Sequence, residues 1–189
     1  MKKRVVLAFG GLAVALGLLG AAFLFAFRMQ AIRFVGRMGQ GINLGNTLDS
    51  TGLREYRPDA DDLEYETYWG NPKADAETFL AMKEAGFGTV RIPVTWEDHL
   101  DESYHISETW MNRVQEVVDM ALAADLCVIL DLHHEEWLDL KVERSAQIEA
   151  EFVTVWEQIA VRFRDYDERL LFESMNEPRL RDSEVEWTS

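Results

Sequence analysis

Cysteine occurs once in the 189 residues, at Cys127. No intrachain disulfide can form, and a lone thiol inside the apolar run "LCVIL" reads as a small core residue rather than a nucleophile. Stability must therefore come from packing. Acidic residues are missing from the first 37 positions, which hold Lys2, Lys3, Arg4, Arg28, Arg33 and Arg37. Beyond them it is positive charge that is scarce, with 13 basic against 34 acidic side chains and a net charge near −21. A body of that sign repels phosphate backbones, which excludes nucleic acid as a partner. It suits an exported protein that acts on neutral substrates. No low-complexity segment follows residue 37.

The head has no polar face. A basic tip precedes 23 uncharged residues, Val5 to Phe27, more than the roughly 7–15 of a signal-peptide core and close to the roughly 20 that cross a bilayer. Residues 1–28 are therefore expected to be a signal-anchor helix or a cleaved signal peptide, with "GLLGAA" as the cleavage neighbourhood. Arg28, Arg33 and Arg37 on the far side blunt the positive-inside rule. Either way the body is expected to be secreted or held at the cell surface, touching membrane only through residues 5–27. Residues 29–37 read as a linker.

From residue 38 the pattern becomes regular. "GQGINLGNTL" is a short strand that breaks into turn signals, and residues 49–72 form a long polar loop with an acidic cluster. A loop beyond about 15 residues is usually functional or disordered. "KADAETFLAMKEAG" is an amphipathic helix closed by Gly86, followed by the strand "TVRIPV". A second helix places Met111, Val114, Val117, Val118, Ala121 and Leu122 at helical spacing, with Ser107 as its cap. "CVILDLHHE" is a buried strand, residues 145–166 a third helix, and "LLFESMNEP" a fourth strand. Alternation of this kind builds a parallel sheet under helices. Polar punctuation at strand ends falls at Asn43, Arg91, His133 and Asn176, at intervals of 48, 42 and 43 residues. Eight such units make the roughly 250–400 residues of a (β/α)8 barrel. The α/β fold expected is thus a (β/α)8 TIM barrel with about the first four units present.

In such a barrel chemistry sits where the strands end. Asn43, Asn46, Arg91, Trp96, His133, His134, Glu135, Asn176 and Glu177 all fall there, a coincidence that no single residue would carry. Glu177 could simply start a surface loop before Pro178; beside Asn176 it is better read as a general acid. Arg91, inside an apolar strand, needs a carboxylate or carbonyl partner and is either an ion-pair strut or a functional group. His133 is a core histidine or a donor at the reaction centre. Trp69 and Trp96 lie in loops, which favours stacking on a flat ligand face, while Trp110 and Trp156 follow helical periodicity and read as core. The cluster Asp131, His133, His134 and Glu135 admits a metal reading. Adjacent strand residues point to opposite faces, however, so His133 and His134 should not converge unless the strand has already turned.

The segments "GINLGNTL", "YWGNP", "GFGTVRIPVTW", "LDLHHE" and "MNEP", in this order, resemble glycoside hydrolase family 5, the family of many cellulases and related β-glycanases. The likeness runs from about residue 38 to 178. It implies a (β/α)8 barrel and a β-linked polysaccharide substrate such as cellulose, mixed-linkage glucan, xyloglucan or mannan. By position, Glu177 matches the general acid/base, Asn176 the neighbour that bonds the sugar 2-hydroxyl, and Arg91 the arginine that steadies the nucleophile. His133 matches the histidine at the cleaved-sugar subsite; His134, Asn43, Trp69 and Trp96 correspond to sugar contacts. No metal or organic cofactor is implied.

A retaining glycosidase needs two carboxyl groups about 5–5.5 Å apart. The family takes its nucleophile from the seventh strand, and residues 38–189 are expected to be the N-terminal half of the catalytic domain, ending just after strand four. Asp131 and Glu135 are the nearest internal substitutes, but both belong to strand three. On this reading the chain alone is inactive. Two further readings stand beside it: a half-barrel that binds glycan without cutting it, and a metal-dependent hydrolase on the Asp131/His133/His134/Glu135 cluster.

Overall fold

The computed structural model describes residues 20, 22–26, 28–135 and 145–177. Most of the head, and with it the expected anchor or signal peptide, lies outside them; among the described residues no helix is long and apolar enough to cross a membrane. The chain divides after Gly39. Residues 29–37, expected as linker, lie in a helical stretch from 28 to 38.

The described residues between 40 and 177 carry four strands, β1 (Gly41–Asn43), β2 (Thr89–Ile92), β3 (Cys127–Asp131) and β4 (Leu170–Glu173), in one parallel sheet of order β1-β2-β3-β4. The helices are a single turn α1 (Leu53–Tyr56), then α2 (Ala76–Glu84), α3 (Glu108–Ala123) and α4 (Ser145–Phe163). Each parallel neighbour needs a crossover, and α2, α3 and α4 supply them. The strand side chains alternate. Val90, Val128 and Leu170 are in register and buried, as are Ile92 and Leu130 beside them. One residue along, Asn43, Arg91 and Ile129 are in register, and two residues further Asp131 is opposite Glu173. With a side-chain period of two, Asn43, Arg91, Asp131 and Glu173 therefore share the other face.

The helices meet the sheet through the stripes expected. Trp110, Met111, Val114, Val117, Val118 and Ala121 of α3 are buried, as are Ile148, Val155, Ile159 and Phe163 of α4. Gly86 ends α2 with φ +95°, the left-handed turn that glycine enters without a Cβ penalty. Asp125 makes the same turn after α3, at φ +58°. There Lys83 donates to its carbonyl at 2.5 Å and its carboxylate at 3.0 Å. Cys127 is a buried core residue.

Three local expectations are corrected. The segment 49–72 is no plain loop: it contains α1 and a 3-10 helix, Asp62–Thr67, and it buries Tyr65 and Glu66 completely. Within its acidic cluster, Asp62 is paired with Arg54 and His99, and Glu66 with Arg113. Ser107 does not cap α3 through its side chain; its hydroxyl donates to Asp62. And β3 ends at Asp131, so His133, His134 and Glu135 lie past the strand, where the alternation rule no longer applies.

Candidate active site

The rim beyond the strand ends is held by backbone bonds that continue the parallel pairing after the strands stop. Leu44 N–H donates to Arg91 O, His133 N–H to Val94 O and Asn176 N–H to Leu132 O, each at 2.8 Å. Each loop thus leaves its strand on a course fixed by its neighbour. Side chains that would point anywhere in an isolated loop are aimed over one end of the sheet.

Asp131 is the hub of this layer. It is fully buried, and its Oδ1 accepts Val94 N–H at 3.0 Å. Its Oδ2 is ion-paired with Arg91 and lies 3.0 Å from His133 Nδ1. Arg91 forks onto Glu173, with Nε and Nη2 each donating to one carboxylate oxygen at 2.7 Å, and Nη2 also reaches Asn176 Oδ1 at 3.1 Å. Arg91 therefore carries two carboxylates and an amide at once. The planar fork holds Glu173 bidentately, and its hydrogen bonds keep the Glu173 carboxyl below the ordinary carboxylate range. The same bonds hold the Arg91 guanidinium above its usual value.

The strut reading of Arg91 is met by this geometry, and the same guanidinium also bonds Asn176. Glu173 was not legible as a site residue. The available signal was a single charge ending an otherwise apolar strand, on the face shared with Arg91.

Glu135 does not face a metal. Its two oxygens accept the backbone N–H groups of Trp96 and Glu97, at 2.7 and 3.0 Å, tying the loop after β2 to the loop after β3. Trp96 is the clear misreading among the site residues. It is completely buried, and its indole N–H donates to Asp131 O at 3.1 Å. It is a core residue under the rim and offers no stacking face. Its place in a loop was a poor guide because that loop folds back over the helix layer, where Thr95 O accepts the Trp110 indole N–H.

Trp69, by contrast, is 39% exposed, and its ring centroid lies 5.5 Å from that of His134. Asn71 holds this loop in place by donating to Gly45 O at 2.8 Å. His134 Nδ1 lies 2.8 Å from Asp49 O. His133 and His134 do converge, with ring centroids 4.5 Å apart and planes near perpendicular, because the chain has turned by then. Among the described residues, those placed to hold a metal are accordingly Asp49, His133 and His134, and not the set Asp131, His133, His134 and Glu135. Asn43 is exposed beside Arg91. Glu177 is exposed, with φ +40°.

The rim thus assembles an exposed indole face, two imidazoles, an arginine-oriented amide and an exposed carboxyl group. A ligand that suits it has hydroxyl groups at its edge and an apolar face. Three comparisons bear on this geometry. The model of the family described as Cellulase (glycosyl hydrolase family 5) matches residues 55–189. Endoglucanase A of Clostridium longisporum is 43% identical over 160 residues, 84% of this chain and 31% of that protein. Among solved structures, a GH5-4 broad specificity endoglucanase from Ruminococcus flavefaciens superposes with a TM-score of 0.73 at 47% identity, covering 83% of this chain and 44% of its own. A xyloglucan-specific endo-β-1,4-glucanase from a metagenomic library, solved with cellotriose, superposes with a TM-score of 0.69 at 43% identity, covering 80% and 43%. The chain spans about a third of the length of the curated relatives it matches.

Proposed function

The chain belongs to glycosyl hydrolase family 5, the cellulase family, and from that premise we propose that it supplies the acid/base half of a retaining β-1,4-glucanase. Glu177 protonates the leaving glycosidic oxygen and then deprotonates the attacking water. A nucleophile carboxylate from a later strand of the completed barrel forms the glycosyl intermediate. The observation that carries this reading is the bond from Arg91 to Asn176 at 3.1 Å. It ties the amide that precedes Glu177 to the face carrying Arg91, Asp131 and Glu173, which supports this reading.

In this reading Asn176 bonds the hydroxyl next to the anomeric carbon, and His133, fixed by Asp131, bonds the sugar at the point of cleavage. Trp69 stacks on a neighbouring sugar ring, with His134 and Asn43 at its edge. The acid's proton is retained in the resting state by the negative charge of the nucleophile and released when that charge is lost in the covalent bond. Substrates are β-linked glucans, as in the broad-specificity and xyloglucan-cleaving relatives. A polymer of that kind stays outside the cell envelope, so the reading goes with export of the body by residues 1–28.

The test is E177Q in a completed barrel, made by joining this chain to the later strands of a relative. Reducing-sugar release from mixed-linkage glucan should fall by about 10²–10⁴-fold, the usual contribution of a positioned general acid/base. Activity within about threefold of the parent would remove Glu177 from the mechanism.

A further inference from the structure

Asp49 is 4% exposed, and its Oδ1 accepts Thr47 N–H at 2.8 Å. Among the described residues no lysine or arginine makes ion-pair contact with it. The Arg91 charge acts on it through space without an ion-pair contact, and the carboxylate keeps acceptor sites for a further cation. The two imidazoles beside it are already in the tautomer that a metal needs. A backbone carbonyl can only accept, so the His134 Nδ1 that meets Asp49 O carries the proton and leaves an Nε2 lone pair. The Asp131 carboxylate, ion-paired with Arg91, likewise accepts a hydrogen bond from His133 Nδ1–H. This is the outer-shell arrangement of carboxylate or carbonyl, then histidine, then metal.

One ligating atom from each of Asp49, His133 and His134 lies within 4.8 Å of the others. Donors on one tetrahedral zinc ion are roughly 3–3.5 Å apart, given bonds of about 2.0–2.2 Å. Binding would draw the three side chains together by at most about 1–2 Å. We propose that Asp49, His133 and His134 bind one zinc ion, two nitrogens and one oxygen, with the remaining position taken by water. The ion occupies the rim where the sugar contacts of His133 and His134 are placed, so it blocks substrate rather than acting on it. That corollary rests on the proposed function; the binding itself does not.

Equilibrium dialysis of zinc against the full 189-residue chain at neutral pH reads the binding alone. One ion per chain should be retained, with Kd on the order of micromolar. D49N, H133A and H134A should each weaken binding by at least about tenfold, since even outer-shell changes at metal sites cost that much. H105A, whose side chain is 68% exposed elsewhere, should change nothing. Neighbouring histidines hold zinc in an unfolded chain as well, so Asp49 is the discriminating ligand: its effect should vanish in concentrated urea. Should a variant fail to fold, cobalt added to the parent should give the intense visible bands of a four-coordinate site, which urea abolishes. Parent-like binding by folded D49N, or four-coordinate cobalt bands of undiminished intensity in urea, would overturn the site.

Discussion

Arg91 carries more of the rim than any other side chain, and its removal tests that directly. R91A leaves Asp131 fully buried without its cation and frees both Glu173 and Asn176. Breaking a buried pair from one side costs about 3–5 kcal/mol, and urea unfolding at neutral pH should show a loss of that size. A loss under about 1 kcal/mol would mean that the network does not hold the fold. Glu173 gives the same network a pH dependence. Its carboxyl is held below its ordinary range in the fold, so the unfolded chain takes up a proton first as pH falls. The stability is therefore present above about pH 4.5 and lost on acidification through the folded value. In R91A that acid-side loss should shrink. Trp69 is the opposite case. W69A removes an exposed ring, so stability should stay within about 0.5 kcal/mol, while affinity for cellotriose in a completed barrel should drop by about tenfold, as for an aromatic anchor worth more than about 1 kcal/mol. Unchanged cellotriose binding would refute the stacking role.

At the scale of elements, the long segment after β1 behaves as part of the core. His99 is its anchor. It is stacked on Trp110 at 3.8 Å between centroids and bonded through Nδ1 to Asp62 at 2.9 Å, and its buried Nε2 has no hydrogen-bond partner among the described residues. Protonation would bury an unmatched N–H, and burial lowers the His99 pKa despite the Asp62 carboxylate. The unfolded chain then binds the proton more readily than the fold, so stability falls as pH drops below about 6.5. The slope between pH 6.5 and 5 should be at most about 1.4 kcal/mol per pH unit, and H99Q should flatten it. An unaltered slope in H99Q would assign the effect elsewhere.

The elements themselves were legible in the sequence, because α3 and α4 keep strict helical stripes and the strands are short apolar runs ended by polar residues. So were the rim positions of His133, Arg91 and Asn176. What could not be read was tertiary. Trp96 is drawn under the rim by its bond to Asp131 O, Asp49 is brought to the histidines by a bond across 85 positions of sequence, and Glu173 meets Arg91 across 82. Periodicity carries no information about contacts at that distance. His133 and His134 converge because β3 ends at Asp131, four residues short of the strand expected through Glu135.

The molecule as a whole has a sheet whose outer strands, β1 and β4, each pair on one side only among the described residues. Phe172 on β4 is 46% exposed, and Val161 on α4 is 65% exposed. Unpaired strand edges and apolar surface of this kind associate in solution, and light scattering of the chain alone should report species larger than a monomer. The central claim is that this chain carries the acid/base and needs a nucleophile from further strands. Its most direct test is reducing-sugar release from mixed-linkage glucan, by the 189-residue chain alone and by the same chain joined to the later strands of a relative. No release from the first and sustained release from the second is the predicted result. Hydrolysis by the chain alone would contradict it.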